Sequence, residues 1–494
     1  MRLTRDEVAT PCNPMSFVGE LPRRESGWVR DEGIEPGTPF LVSPDFTYDV
    51  ELNDYLTRQL VTQAPKTREA IARDLASFLT FLSRSRGGRS WRDATEDDHL
   101  AYLIWRRRDP SGPTVQGSTW DREVATVNQF YWWAVRKGYV TAHPIPQRVV
   151  SPQVIEGLYR SQKQGLRPAT YSHEGSSEVV SWLTPNSYRR WRDVGVRGFD
   201  PEGLPADGFR GRWAARNALY CDLMIRTGLR ISEQSALSVL ELPSDSSLTG
   251  YQRFWLPRAI AKGNSARWIY LPPSLVHDVA SYLRFDRTEV VAEARSAGRY
   301  RWRRPWVIED PTTRLALRRY DGLVEKMKLK EATSGQRSEM LVETPAGIEP
   351  VSLWVGESGM PMSVSAWQWM FREANDRCKA FGLDVRCHPH ALRHSFAVIT
   401  LEQLQRGQMA ALGALNPEQR RHYVRIFGDP LDWVRRRLGH KSITTTMVYL
   451  HALSELEMTT RMALVPSDWD DPRSNHPLED AATIAPRADL GTDA

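Results

Sequence analysis

The sequence predicts a mainly α-helical protein with a small β-sheet, divided between two folded units. Three observations carry this. At 494 residues the chain exceeds one ordinary domain. Long stretches place apolar residues at helical spacing, whereas only FWLP at 254–257 and WIYLP at 268–272 read as strands. A proline-rich, then polar, stretch interrupts the helical pattern at 149–178.

The elements follow in order. Residues 1–45 are rich in proline, glycine and charge without periodicity and read as an irregular arm. Residues 46–148 read as a small all-helical domain. Its first long helix aligns Ile71, Leu75, Phe78, Leu79 and Leu82. Thr95 and Asp98 are spaced as a capping box for the next. Val124, Val127, Tyr131 and Ala134 form a third stripe that stops at Gly138. After the 149–178 linker, a second unit spans 179–465, opening with helices, passing through a hairpin that turns at Lys262-Gly263-Asn264, and returning to helix after Val364. The final stretch, 466–494, holds seven acidic and two basic side chains with four prolines and reads as a disordered, net-negative tail.

Composition narrows the function. With 41% hydrophobic and 26% charged residues the chain supports a core, and its net charge of +6 permits a nucleic-acid partner without requiring one. Four scattered cysteines cannot staple a chain of this size, which argues for a reducing compartment. There is no apolar signal core at the start and no run of about 18 apolar residues, so a secreted scaffold and a helical membrane protein are both excluded. Cys378, Cys387, His388 and His390 lie close together, but their spacing lacks the paired C-x2-C or H-x3-H geometry of a zinc site. The segment RYRWRRPW at 299–306 reads either as a track for a DNA backbone or as a solvated face flanking buried tryptophans.

Three segments carry chemistry: RTGLRISE at 226–233, HPHALRHSFA at 388–397 and LGHKSITTTMVYLH at 438–451. Taken singly, Arg230, Lys262, His390 and Tyr449 each have an ordinary surface or packing explanation. Their order and spacing together resemble the tyrosine recombinase (phage integrase) family. AIAKGNSARWIYLP at 259–272 resembles that family's lysine-bearing hairpin, and WWAVRKGYVTAHP at 132–144 the exit of its core-binding domain. The likeness spans roughly 46–465.

The resemblance implies a helical, SAM-like core-binding domain and a mixed α/β catalytic domain forming a C-shaped clamp on duplex DNA. Displacement at a phosphodiester spreads negative charge over the non-bridging oxygens, which fork-shaped guanidiniums match. By resemblance Arg230 and Arg393 form that clamp. Tyr449 is the nucleophile, leaving a 3′-phosphotyrosine, His390 takes its proton and His440 donates to the phosphate. Lys262 protonates the leaving 5′ oxygen. Glu233 orients charged groups from behind, and His394 is read as structural. No metal and no nucleotide cofactor are implied.

Expected DNA contacts are Lys66, Arg68, Arg122, Arg136, Lys137 and Arg267. The implied partner is double-stranded DNA, engaged by a homotetramer on two sites, with room for an accessory recombinase, a directionality factor or a DNA-bending protein. Residues 451–465 form the segment expected to dock on a neighbouring protomer. The family integrates, excises or transposes mobile elements in the bacterial cytoplasm, associated with the nucleoid while on DNA. Two rivals stand beside this reading: a type IB topoisomerase that rejoins the same strand, and a catalytically silent DNA-binding subunit. Departures from compact family members fall at 290–350 and at 405–430, the latter expected as an inserted helical excursion.

Overall fold

The computed structural model describes residues 34, 37–150, 165–172, 181–243, 250–302, 304–320, 322–413, 429–443, 445–450 and 452–453. The chain divides into two compact units, 1–177 and 178–494. The expected 451–465 docking segment, apart from two helical residues, and the expected acidic tail lie outside the described residues, as does 414–428 of the expected excursion.

The first unit is helical. A short helix α1 (Val50–Asp54) precedes three longer ones, α2 (Pro65–Ser85), α3 (Glu96–Arg107) and α4 (Gly117–Lys137). The Thr95 box forms, with the Thr95 N–H donating to Asp98 Oδ2 at 2.8 Å, and Gly138 ends α4 in the left-handed region at φ 76°. The core interleaves aromatics: Tyr55, Phe78, Tyr102, Trp120 and Phe130 are all buried.

Three expectations change here. The arm is not irregular throughout, because Leu41 is fully buried and its N–H donates to Asn53 Oδ1 at 2.7 Å. Part of the linker belongs to the fold. Strands β1 (Gln147–Val150) and β2 (Gly165–Pro168) pair antiparallel, and the Thr170 carbonyl accepts the Trp120 indole N–H at 2.8 Å. Arg68, expected on DNA, is buried at 3% exposure against Thr38, since it shares the helical face of Ala72 and Leu75. Arg122 is engaged by Asp74. Lys66, Arg136 and Lys137 are exposed.

The second unit builds on α5 (Pro185–Arg190), α6 (Ala214–Thr227), α7 (Ile231–Ser235), α8 (Pro273–Arg284), α9 (Asp286–Ser296), α10 (Ser334–Ser338), α11 (Val364–Ala380), α12 (Pro389–Gly413) and α13 (Pro430–Leu438). Strands β3 (Gln252–Leu256) and β4 (Arg267–Leu271) form the expected hairpin in the register Phe254↔Ile269. A second, five-stranded sheet was not read from the sequence. Its strands β5 (Trp306–Ile308), β6 (Leu315–Tyr320), β7 (Leu323–Lys328), β8 (Met340–Thr344) and β9 (Gly347–Pro350) lie in the order β7-β6-β5-β8-β9. The β5–β8 pair is parallel and the others antiparallel. The sheet occupies most of the 290–350 excess. Tyr300 and Trp306 of RYRWRRPW are buried, and Arg299 donates to the Ser358 carbonyl, so these three positions serve packing.

At the centre of this unit Tyr220 and Trp367 stack with ring centroids 3.6 Å apart, and Trp354 meets Trp367 edge-on. Cys378 and Cys387 are buried at its margin. Trp367 has no measurable exposure. Trp367→Ala should therefore destabilise this unit by about 3–5 kcal/mol in urea unfolding, through lost burial and the cavity left behind.

Candidate active site

The site is organised around one carboxylate. Glu233 sits in the first turn of α7 with no measurable exposure. Its Oε2 accepts the Arg230 N–H at 3.0 Å and Arg267 Nη2 at 2.6 Å. Its Oε1 accepts Arg230 Nη1 at 3.0 Å, Arg267 Nη1 at 3.2 Å and the Lys262 N–H at 3.2 Å. Burial opposes ionisation of this group, but Arg267 and Arg230 outweigh it and hold the carboxyl at about 2. Three chain segments thus converge on one anion: the turn after α6, the Lys262 turn and strand β4.

Arg267 corrects the sequence reading. It was expected on DNA, yet it is 6% exposed and spends its donors inside the protein. Besides Glu233, its Nε reaches the Arg437 carbonyl at 2.8 Å. Along β4, residues 267, 269 and 271 face inward, so the alternation of R-W-I-Y-L already placed this arginine with Ile269 and Leu271.

Arg393 projects from α12 and is 3% exposed. Its Nη1 donates to the Gly228 carbonyl, and Nη2 to the Leu438 carbonyl at 2.5 Å. No carboxylate among the described residues is hydrogen-bonded to it. Burial, reinforced by the charge of Arg230, drops its pKa to about 9. Gly228 makes this approach feasible: it holds φ 65°, and a Cβ there would lie 2.4 Å from the Phe396 ring. Arg267 and Arg393 together satisfy two last-turn carbonyls of α13, which a helix end otherwise leaves without partners. Immediately beyond, Gly439 turns the chain at φ 66° with Ser265 Oγ 2.8 Å from where a Cβ would stand. His440 follows, with Nδ1 3.0 Å from Thr446 Oγ1.

Tyr449 lies in the helical stretch 445–450 and is 2% exposed. Its hydroxyl is 2.9 Å from His394 Nδ1. His390, one helical turn earlier on α12, has its ring centroid 6.1 Å from that of His394. The sequence reading gave proton transfer to His390 and a structural part to His394. The structure instead puts His394 on the phenol, and His390 is exposed. The His440 ring stacks at 6.3 Å from Tyr449. Burial raises the phenol's pKa, and Arg393 and Arg230 pull against it. Burial, with neighbouring positive charge, also lowers His440 and His394 to about 4, so both imidazoles are neutral near pH 7. A neutral His394 accepts the Tyr449 proton in a hydrogen bond. Lys262 is exposed at its turn; burial first, then the charges of Arg393, His388 and Lys262, lower the pKa of His390. The structure therefore brings Arg230, Lys262, His390, Arg393, His440 and Tyr449, with Glu233 and His394, close enough to touch or to influence one another's charge.

Residues 52–138 match the family model for the phage integrase N-terminal SAM-like domain. Tyrosine recombinase XerC of Lactobacillus delbrueckii subsp. bulgaricus is 21% identical over 409 residues, covering 82% of this chain and 94% of the relative. XerC of Roseiflexus sp. is 27% identical over 179 residues, covering 36% and 45%. Among solved structures, the Tn1549 transposon integrase in complex with a circular intermediate DNA aligns at a TM-score of 0.45 and 13% identity, over 83% of this chain and 98% of that one. By these matches the chain is similar to tyrosine recombinases, through its first unit and along most of its length.

The low histidine pKa values fix a pH response. Between about 6.5 and 4 the unfolded chain binds protons at His394 and His440 that the folded one does not, so stability is intact above about pH 6.5 and is lost as pH falls toward 4. Glu233 adds a further loss between 4.5 and about 2. His99 of the first unit, also lowered to about 4 by burial, acts in the same direction. Unfolding midpoints followed from pH 7 to 4 should fall, and His394→Gln with His440→Gln should flatten that slope.

Proposed function

We propose that this chain is a site-specific DNA recombinase that breaks and rejoins strands through Tyr449. The observation that carries the proposal is Arg393: a buried guanidinium held by two carbonyls, with no hydrogen-bonded carboxylate among the described residues, and close enough to Arg230 and Tyr449 to feel their charge. Such a cation is preorganised for an incoming anion.

A scissile phosphate entering between Arg230 and Arg393 meets positive charge already fixed in place. The Tyr449 oxygen attacks phosphorus, its proton passing to His394 or onward to His390, and the bond from phosphorus to the 5′ oxygen breaks. Lys262 gives that oxygen its proton, His440 donates to a non-bridging oxygen, and the products are a 3′-phosphotyrosine and a free 5′ hydroxyl. Attack by a 5′ hydroxyl from a partner strand reverses each step and completes exchange. The phosphotyrosine conserves the energy of the broken bond, so the cycle calls for no nucleotide hydrolysis. The burial of Tyr449 means the hydroxyl must move toward the phosphate when DNA binds. We extend the reading to a bacterial mobile element acted on by four protomers at two sites, as the resemblance of the sequence motifs implies. In the first unit Lys66, Arg136 and Lys137 are the exposed cations proposed to contact the duplex.

The test is a nicked suicide substrate taken from the ends of the protein's own element. A covalent protein–DNA adduct should form in EDTA without ATP and vanish in Tyr449→Phe. Sequence-specific binding without any adduct would favour the silent DNA-binding subunit. Plasmid relaxation without two-site recombination would favour the topoisomerase.

A further inference from the structure

The five-stranded sheet supplies no group to the chemistry proposed above, yet one of its residues reaches the helix that carries that chemistry. Arg337 lies in α10, between β7 and β8, and is 1% exposed. A guanidinium has five N–H donors, and here each meets an acceptor. Nε donates to the Ala332 carbonyl at 3.1 Å and Nη2 to the Leu329 carbonyl at 2.9 Å, which ties Arg337 to its own loop. Nη1 and Nη2 also donate to Glu241 Oε2 and Oε1 at 2.6 and 2.8 Å, a forked pair with a carboxylate whose side chain is 8% exposed. The fifth bond runs from Nη1 to the Ala236 carbonyl at 3.1 Å.

Ala236 ends α7, the helix that opens at Arg230 and holds Glu233 in its first turn. Only roughly 9 Å of helix separates Arg230 from Ala236. A helix of five residues has too few internal bonds to hold its own direction, so the groups that bind its last turn set where its first turn points. Those groups come from the sheet and the chain that leaves it. Trp354 Nε1 donates to the Gln234 carbonyl at 3.0 Å, the Leu353 N–H to the Leu237 carbonyl at 2.9 Å, and the Val239 N–H to the Val351 carbonyl at 3.0 Å. Arg337 is the charged member of this set, and its pairing with Glu241 fixes the chain on both sides of Ala236. We propose, on the recombinase reading above, that Arg337 is a positioning residue for Arg230 and Glu233. The sheet is then a buttress behind α7, the Arg337–Glu241 pair is its joint, and the 290–350 excess serves the cutting step rather than the capture of DNA.

The test uses the full chain and the nicked substrate described above. Arg337→Met combined with Glu241→Met removes both charges together, so neither is left buried without its partner. At saturating duplex the single-turnover rate of adduct formation should fall about 10- to 100-fold, as small misplacements of a reacting constellation do, while the Kd for duplex stays within about threefold of wild type. Val342→Ala, a core change in the same sheet, should lower the unfolding midpoint and leave the adduct rate near wild type. A second substrate carries a neutral methylphosphonate at the scissile position, which asks less of a guanidinium clamp. On it the gap between the double variant and wild type should shrink, because what the variant has lost is the placing of Arg230 against a charged phosphate. Should the double variant not fold, Arg337→Lys keeps the charge without the fork and should show the same contrast between substrates at a smaller loss. A folded variant that cuts at the wild-type rate overturns the proposal, as does an equal loss on both substrates or a loss confined to duplex binding. A wild-type chain that forms no adduct at all removes the recombinase reading itself, an outcome distinct from these.

Discussion

A single buried carboxylate with five donors holds the catalytic unit's chemistry together. Glu233 accepts from the backbone and side chain of Arg230, from the backbone at Lys262 and twice from Arg267. Taking a carboxylate out of water costs several kcal/mol unless its lone pairs are satisfied by well-placed cations. Here that requirement works as an assembly rule: the α6–α7 turn, the hairpin and strand β4 must all arrive before the charge is compensated. The residues proposed to bind phosphate and to protonate the leaving group are therefore fixed relative to one another by a group that takes no part in the proposed reaction itself.

The second constraint is the end of α13. Its carbonyls at 437 and 438 are taken by Arg267 and Arg393, one belonging to the Glu233 network and the other to the α12 face that carries His390 and His394. Helix termini commonly draw cations, but these two are shared with the proposed reaction centre. The position of His440, just past Gly439, depends on both. Tyr449, the proposed nucleophile, is buried and hydrogen-bonded to His394, which keeps its phenol neutral and shielded in the free protein.

Much of this was legible in the sequence because it follows local rules. The Thr95 cap, the Gly138 stop and the β3–β4 hairpin each rest on a few neighbouring residues. The order of Arg230, Lys262, His390, Arg393, His440 and Tyr449 was readable for the same reason. The five-stranded sheet was not, since β5 is three residues long and β7 is largely exposed on both faces, leaving no alternation to detect. Arg68 and Arg267 are expected DNA contacts, Arg68 because the resemblance sets the helical domain against the duplex. The helical and strand periods around them nevertheless place both on buried faces, a signal present in the sequence itself. His394 is read from the sequence as structural; helical spacing places it near His390, and only tertiary packing brings to it a tyrosine 55 positions later.

The claim that Glu233 assembles the site is tested most directly by the single-turnover rate of covalent adduct formation in Glu233→Gln, at a temperature where circular dichroism shows the variant folded. The shape is kept and the charge removed. The account predicts that duplex binding changes by no more than a few-fold, while the adduct forms about 10²–10³ times more slowly because the cations that meet the transition state are no longer held in place. An adduct rate close to wild type in the folded, DNA-binding variant would contradict it.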